Sequence, residues 1–160
     1  MGKGIYNWYV VGDSVNKLTM PIFIGEYQHN LDAKKRLAIP AKFRKELGKD
    51  AILTRGLDNC LFVFPSEQWK DLATKLGQNP GRSYTRLLLS GASEVDFDSL
   101  GRILVPDNLK DYAGLKKETV IIGVLNRLEI WDAKKWNNYK LNLEKDSDKV
   151  AEKLEELGII

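Results

Sequence analysis

The segment 31-LDAKKRLAIP-40 is written a second time as 97-FDSLGRILVP-106. Both run apolar, Asp, three residues, Arg, three apolar-leaning residues, Pro. Laid over each other at an offset of 66, Asp32 meets Asp98, Arg36 meets Arg102 and Pro40 meets Pro106. One residue then enters the second copy and the offset becomes 67, so that Gly56 meets Gly123, Phe64 meets Trp131 and Trp69 meets Trp136. The agreement holds for about forty positions, which marks an internal duplication.

Each copy follows one physical plan. The stretch 22-IFIGEYQHNL-31 has the aromatic and β-branched content of a strand and leads into the polar turn DAKK. RLAI then returns as a short strand. Pro40 suits the first position of a helix, where its missing N–H is not needed. Phe43 and Leu47 stand four apart, hence on one helical face, and Gly48 is placed for a left-handed cap. The runs 51-AILTR-55 and 60-CLFVF-64 flank GLDN as a hairpin. Ser66 is the expected cap of a helix over 67–76 closed by Gly77.

The second copy repeats the order. It predicts a strand over 94–97, the turn DSLG, the strand RILV, and a short helix from Pro106 to near Gly114. Strands over 119–125 and 128–131 follow, then a helix capped by Asp132. Between the copies, 82-RSYTRLLLSG-91 reads as a short helix and hinge, and Val150, Leu154 and Leu157 put an apolar stripe on a charged C-terminal helix. A unit of about forty-five residues built of short strands cannot bury its own apolar face well. The two units must therefore pack together, with interleaved hairpins as one arrangement, which predicts a pseudo-twofold α+β monomer.

With 160 residues, 43% of them apolar, the chain fits one domain or two very small ones. Its net charge of +3 is unevenly placed. Residues 1–90 carry 14 Lys/Arg against 8 Asp/Glu, whereas residues 91–160 carry 11 against 14. A basic half beside an acidic half reads either as a polyanion-facing surface or as plain solvated surface. The single cysteine, Cys60, cannot form an internal disulfide and reads as a small buried hydrophobe. No His/Cys cluster has metal-ligand spacing, so no metal or other cofactor is expected. No apolar run approaches the ~18 residues that cross a membrane, and no signal core opens the chain. The expectation is a cytoplasmic protein.

Catalysis lacks players. The one histidine, His29, precedes the first turn with no serine or cysteine nearby to pair with it, and no phosphate-binding glycine loop is present. Asp32 and Asp98 could be offered as a carboxylate pair. Their identical context, four residues before an Arg, favours bracing: an Asp at a turn accepts backbone N–H bonds and tethers the following guanidinium. Neither an enzyme nor a small-molecule substrate is expected. Lys34, Lys35 and Arg36, at a turn between strands, suit phosphate contacts, and Arg can donate to guanine through two N–H groups. Equally, such a triplet can simply solvate an exposed turn. One monomer offers few cations, so useful affinity for a polyanion requires several copies side by side.

At these residues the sequence resembles the MraZ transcriptional regulators of bacteria, which are marked by two Asp-x-x-x-Arg motifs, commonly Asp-x-x-Gly-Arg. Here the motifs are DAKKR, Asp32 to Arg36, and DSLGR, Asp98 to Arg102, and the family's typical opening matches 22-IFIGEYQHNLDAKKRLAIPAKFR-44. The similarity covers about residues 20–143. It implies tandem swapped-hairpin, AbrB-like units on a pseudo-twofold axis. The first repeat would span 20–81 and the second 82–143, with a helical tail over 144–160.

The resemblance further implies a ring-shaped homo-oligomer whose motif turns line one face and touch double-stranded DNA. It would be a nucleoid-associated repressor of its own division and cell-wall operon, acting at G-rich direct repeats. Carried over residue by residue, Arg36 and Arg102 are the motif arginines, and Lys34 is the basic residue common in the first copy. Asp32 and Asp98 are the motif acids that hold the turns.

Two departures from the family pattern stand out. Lys35 replaces the usual Gly, whose counterpart is Gly101. If that position needs a positive φ, Lys costs roughly 1 kcal/mol of strain while adding a cation to the DNA face. Leu100 stands where a cation would fit, so the first repeat is expected to dominate DNA contact, with Arg102 serving assembly as much as binding. Residues 1–19 have no family counterpart. They read either as residues from an upstream start or as a segment whose WYVV adds a strand at an exposed edge. The alternative function is an AbrB-like antitoxin or partner-binding module in which the C-terminal stripe captures another protein. Two motifs in one chain argue against it.

Overall fold

The computed structural model describes residues 10–11, 14–15, 21–79 and 81–160. Ten strands and six helices follow one another among these residues. The first strands are β1 (Val10–Val11), β2 (Ser14–Val15), β3 (Phe23–Asn30) and β4 (Arg36–Ala38), leading to helix α1 (Ala41–Leu47). The hairpin β5 (Ala51–Arg55) and β6 (Leu61–Phe64) comes next, then α2 (Ser66–Gly77) and α3 (Ser83–Ser90). The second half holds β7 (Ser93–Val95), β8 (Arg102–Leu104), α4 (Asp107–Ala113), β9 (Glu118–Leu125), β10 (Leu128–Asp132) and α5 (Ala133–Lys145). Helix α6 (Ser147–Glu156) ends the order.

Six strands form one antiparallel sheet in the order β3-β9-β10-β6-β5-β7, and β4 pairs with β8 in a separate ladder. Under the sequence offset β3 corresponds to β7, β9 to β5 and β10 to β6, so the strand order reads the same from both edges. Each half's first strand lies against the other half's hairpin. In the small ladder Leu37 faces Ile103, and in the sheet Phe62 faces Glu129. Both are pairs of corresponding residues, and the pseudo-twofold relation passes between them.

The central strands are buried on both faces, which explains why LFVF and LEIWD read as continuous rather than alternating apolar runs. Leu61, Val63, Leu128 and Ile130 point into a core shared with Leu37 and Ile103 of the small ladder and with Phe43 and Leu109 of α1 and α4. Phe62, Phe64 and Trp131 point the other way, into a second cluster under α2, α3 and α5 that includes Leu76, Leu88, Trp69 and Trp136. Fully burying a side chain such as Leu37 or Ile103 stabilises by about 1.5–3 kcal/mol. Neither half could collect that stabilisation alone, because each core wall comes from both.

Several local expectations need correction. Ser66 does not cap α2: Pro65 takes the N-cap position, Ser66 opens the helix, and no side chain caps its N-terminus. Proline's fixed φ sets the chain's entry, and the same arrangement puts Pro40 and Pro106 at N-cap rather than inside their helices. Gly77 lies within α2, and Gln78 closes it. Gly48 has φ 72° but ψ −161°, so it is not a left-handed cap, whereas Gly114 (59°, 35°) is. Strand β7 stops at Val95, before Asp96 and Phe97. Asp132 does cap α5, its carboxylate accepting the Lys135 N–H at 3.3 Å.

Of the segment WYVV, Trp8 and Tyr9 lie outside the described residues, and Val10–Val11 pairs with Ser14–Val15 rather than with the main sheet. Among the described residues no helix is long and apolar enough to cross a membrane.

Candidate functional site

The β3–β4 and β7–β8 connections are the two repeated turns, and they close in the same way. The Asp32 carboxylate accepts the backbone N–H groups of Lys34 and Arg36 through Oδ1, both at 2.9 Å, and Arg36 Nε donates to Oδ2 at 2.7 Å. Asp98 accepts from Leu100 and Arg102 at 2.9 Å each, and from Arg102 Nε at 2.7 Å. The backbone agrees: Lys35 N–H reaches the Asp32 carbonyl at 2.9 Å and Gly101 N–H the Asp98 carbonyl at 3.0 Å. Each carboxylate thus organises its turn and one guanidinium together.

These bonds hold both carboxyls below the ordinary carboxylate value, chiefly through the Arg36 and Arg102 backbone N–H groups; desolvation opposes them, and the guanidinium hydrogen bonds add to the lowering. A lowered folded pKa contributes stability that is fully present above the unfolded carboxylate value. That contribution is lost as pH falls through the lower folded value.

The β4–β8 ladder brings the turns together. Leu37 and Ile103 point into the core, so by strand alternation Arg36, Ala38, Arg102 and Leu104 share the opposite face. Arg36 lies across from Leu104 and Arg102 from Ala38, making the two arginines diagonal neighbours, about 7–8 Å apart in the backbone. Arg102 Nη1 also approaches Asp32 Oδ2 at 3.8 Å, linking the two motifs in a chain of alternating charges. Because each Nε is held by its own Asp, the Nη groups are the guanidinium's remaining donors, in an orientation already fixed. Among the described residues no hydrogen bond engages the Nη atoms of Arg36. Such a pair suits an acceptor with two lone-pair sites, as a phosphate or a guanine edge presents.

Both corresponding positions take a positive φ, Lys35 at 62° and Gly101 at 74°. Lys35 does not simply project into solvent. Its Nζ donates to Asp107 Oδ1 at 2.7 Å, at the start of α4 in the other half, and this pairing lowers the Asp107 pKa. The second turn has a different neighbour. Arg44 of α1 donates to the Ile39 carbonyl at 2.6 Å and lays its guanidinium against Gly101. The second turn is therefore not without a cation; the first half supplies one across the pseudo-twofold relation. Sequence reading missed Arg44 and Asp107 because nothing local announces a contact made between halves, although the motif's tail in both copies, P-A-K-F-R and P-D-N-L-K, was the signal available.

Gly101→Ala tests this packing. A Cβ there would fall within the Arg44 guanidinium, and alanine at this φ is itself strained. The expected loss is about 2–3 kcal/mol, combining roughly 1–2 kcal/mol of strain with one displaced hydrogen bond. Urea unfolding measures it; a loss below 0.5 kcal/mol, on the order of an ordinary surface change, would contradict the contact.

The other candidates stand apart. His29 is half-buried on β3, where its carbonyl accepts the Thr119 hydroxyl at 2.7 Å. Cys60 is buried, and desolvation pushes its thiol well above the ordinary value, the wrong direction for a nucleophile. Among the described residues no group of His, Cys, Asp or Glu is arranged to hold a metal ion.

Comparison with known proteins agrees with this architecture. Residues 22–85 and 88–156 match the family described as "MraZ protein, putative antitoxin-like". A relative from Natranaerobius thermophilus, named "Transcriptional regulator MraZ", is 49% identical over 143 residues, covering 86% of this chain and the relative's full length. Proteins of the same name from Halothermothrix orenii and Alkaliphilus oremlandii are 48% and 50% identical with the same coverage.

Proposed function

The chain belongs to the MraZ family, and from that premise we propose that it is a sequence-specific, DNA-binding transcriptional regulator that works as a ring of identical subunits. The observation that carries this reading is the matched pair of turns, each holding an arginine by its Nε and presenting the rest of the guanidinium on one shared face. Preordering two guanidiniums lowers the entropy lost on binding, and bidentate arginine favours guanine in the major groove. The preferred target is accordingly G-rich.

Lys34, exposed beside the first turn, contacts phosphate, and Lys35 adds charge shared with Asp107. The face has an almost balanced charge, so one subunit binds weakly. Several subunits on closely spaced direct repeats bind well through multivalency. Exposed apolar side chains on the flanks, among them Ile22, Ile24 and Leu125, support subunit packing. The swapped-hairpin, AbrB-like description suits a sheet in which each half's first strand joins the other half's hairpin. The repeats are taken as residues 20–81 and 82–143. The regulated promoter is that of the protein's own division and cell-wall operon, repression is the expected direction, and the protein acts in the cytoplasm at the nucleoid.

Fluorescence anisotropy with the chain's own upstream duplex and a scrambled duplex tests the reading. Preference for the upstream duplex, with log affinity falling linearly in log salt as counterions leave the phosphates, is expected. Equal affinity for both duplexes, or no salt response, would contradict it. The second reading rests on α6, which packs on α5 and leaves Val150 and Leu157 exposed. A partner-binding antitoxin would lose its partner on truncation after residue 143, whereas a ring regulator keeps its DNA.

A further inference from the structure

The two turns match in backbone and differ in their surroundings. Beside the first opens a cleft of about 590 Å³ lined by residues of the turn, among them Leu31, Asp32 and Lys35, and by Lys110, Lys116 and Lys117. Three of these lysines come from the other half of the chain, Lys110 from α4 and the others from the segment before β9. Lys116 and Lys117 are exposed, and the Lys116 backbone N–H is anchored on Asp132 at 3.3 Å, which fixes the segment without using either ammonium group. Asp32, committed to its turn, is the one acid in the lining; Asp107 beside it is paired with Lys35, Asp132 accepts the Lys116 backbone N–H, and Glu118 stands opposite Asn30 in the β3–β9 ladder.

The offset identifies the corresponding positions at the second turn. Lys35 becomes Gly101, Lys110 becomes Arg44, Lys116 becomes Lys49 and Lys117 becomes Asp50, while Asn30 becomes Asp96. The counterpart thus sets two cations against three carboxylates, those of Asp50, Asp96 and Asp98, one of the cations being held by the Ile39 carbonyl.

We infer that the cleft beside the first turn is a phosphate-binding site that takes the DNA backbone next to the bases addressed by Arg36, and that its counterpart beside the second turn is not. This rests on the DNA-binding reading and adds to it residues outside both motifs. Lys116 and Lys117 supply exposed ammonium groups, with Lys110 of α4 in the same lining. Phosphate contacts of this kind add affinity without reading sequence, so their loss should affect every duplex alike.

The test compares Lys116→Gln/Lys117→Gln, Lys49→Gln and Arg36→Ala with the unaltered chain, by anisotropy on the upstream and scrambled duplexes across a salt series. The double variant is expected to bind both duplexes at least about tenfold more weakly, with a log–log salt slope shallower by about two for each subunit engaged. Lys49→Gln should stay within about twofold of the unaltered chain, because its acidic surroundings repel phosphate. If the double variant keeps full affinity and slope while Arg36→Ala loses upstream binding, the cleft is overturned and the DNA-binding reading stands. A Lys49→Gln loss as large as that of the double variant would overturn the asymmetry. If the unaltered chain binds neither duplex, both the cleft and the reading fall.

Discussion

Arg36→Ala is expected to weaken binding to the upstream duplex by about 100-fold or more while leaving fold and assembly size unchanged. A good bidentate arginine–base pair is worth about 1–3 kcal/mol in each subunit, and the loss multiplies across the subunits that bind together. The turn should survive the change. Asp32 keeps the backbone N–H groups at positions 34 and 36, and Arg102 stands 3.8 Å away as a remaining cation. Asp32 is only half-buried, so water can solvate the oxygen that Arg36 leaves. Anisotropy at fixed salt reads the affinity, and circular dichroism with light scattering reads fold and size. An Arg36→Ala chain that binds normally would remove Arg36 from the interface. One that binds poorly but also falls apart would make Arg36 an assembly residue instead.

Phe43→Ala should produce the largest stability change, about 3–5 kcal/mol, as expected for an aromatic ring removed from a close-packed core. The Phe43 ring is fully buried on α1 and meets Phe23 and Tyr27 of β3 edge-on, with centroids 5.9 and 5.2 Å apart. These contacts fix α1 against the strand that the first half lends to the second half's hairpin. Losing them leaves a cavity where the two halves share a wall, and neighbouring elements of both halves are needed to close it. For a chain of this size the melting temperature should fall by roughly 10 °C. Urea unfolding would decide the point; a change under about 1 kcal/mol would mean that the core around α1 repacks freely.

Much of this organisation was legible because a duplicated sequence carries its own alignment. The offset that pairs Asp32 with Asp98 also carries β4 onto β8 and α1 onto α4 end to end, and after the inserted residue it carries β6 onto the start of β10. The positive φ at Lys35 could be inferred from Gly101 for the same reason. What the alignment could not show is which half each element touches. Lys35 reaching Asp107 and Arg44 covering Gly101 both arise from β4 lying on β8, a pairing between residues far apart in the chain. Lys110, Lys116 and Lys117 stayed unremarked because in sequence they belong to the acidic half, seventy or more residues from the turn they flank. Helix ends misled for a local reason: serine after proline looks like a cap, but proline's own geometry had already turned the chain.

The most direct test of the central claim is a structure of the protein bound to its upstream duplex. The account predicts that the Asp32 and Asp98 turns face the DNA. The Nε bonds at Arg36 and Arg102 should be retained, and Arg36 Nη groups should lie within hydrogen-bond distance of guanine edges in the major groove. A duplex seated instead on the side of the sheet covered by α2, α3 and α5, with both turns in solvent, would contradict it.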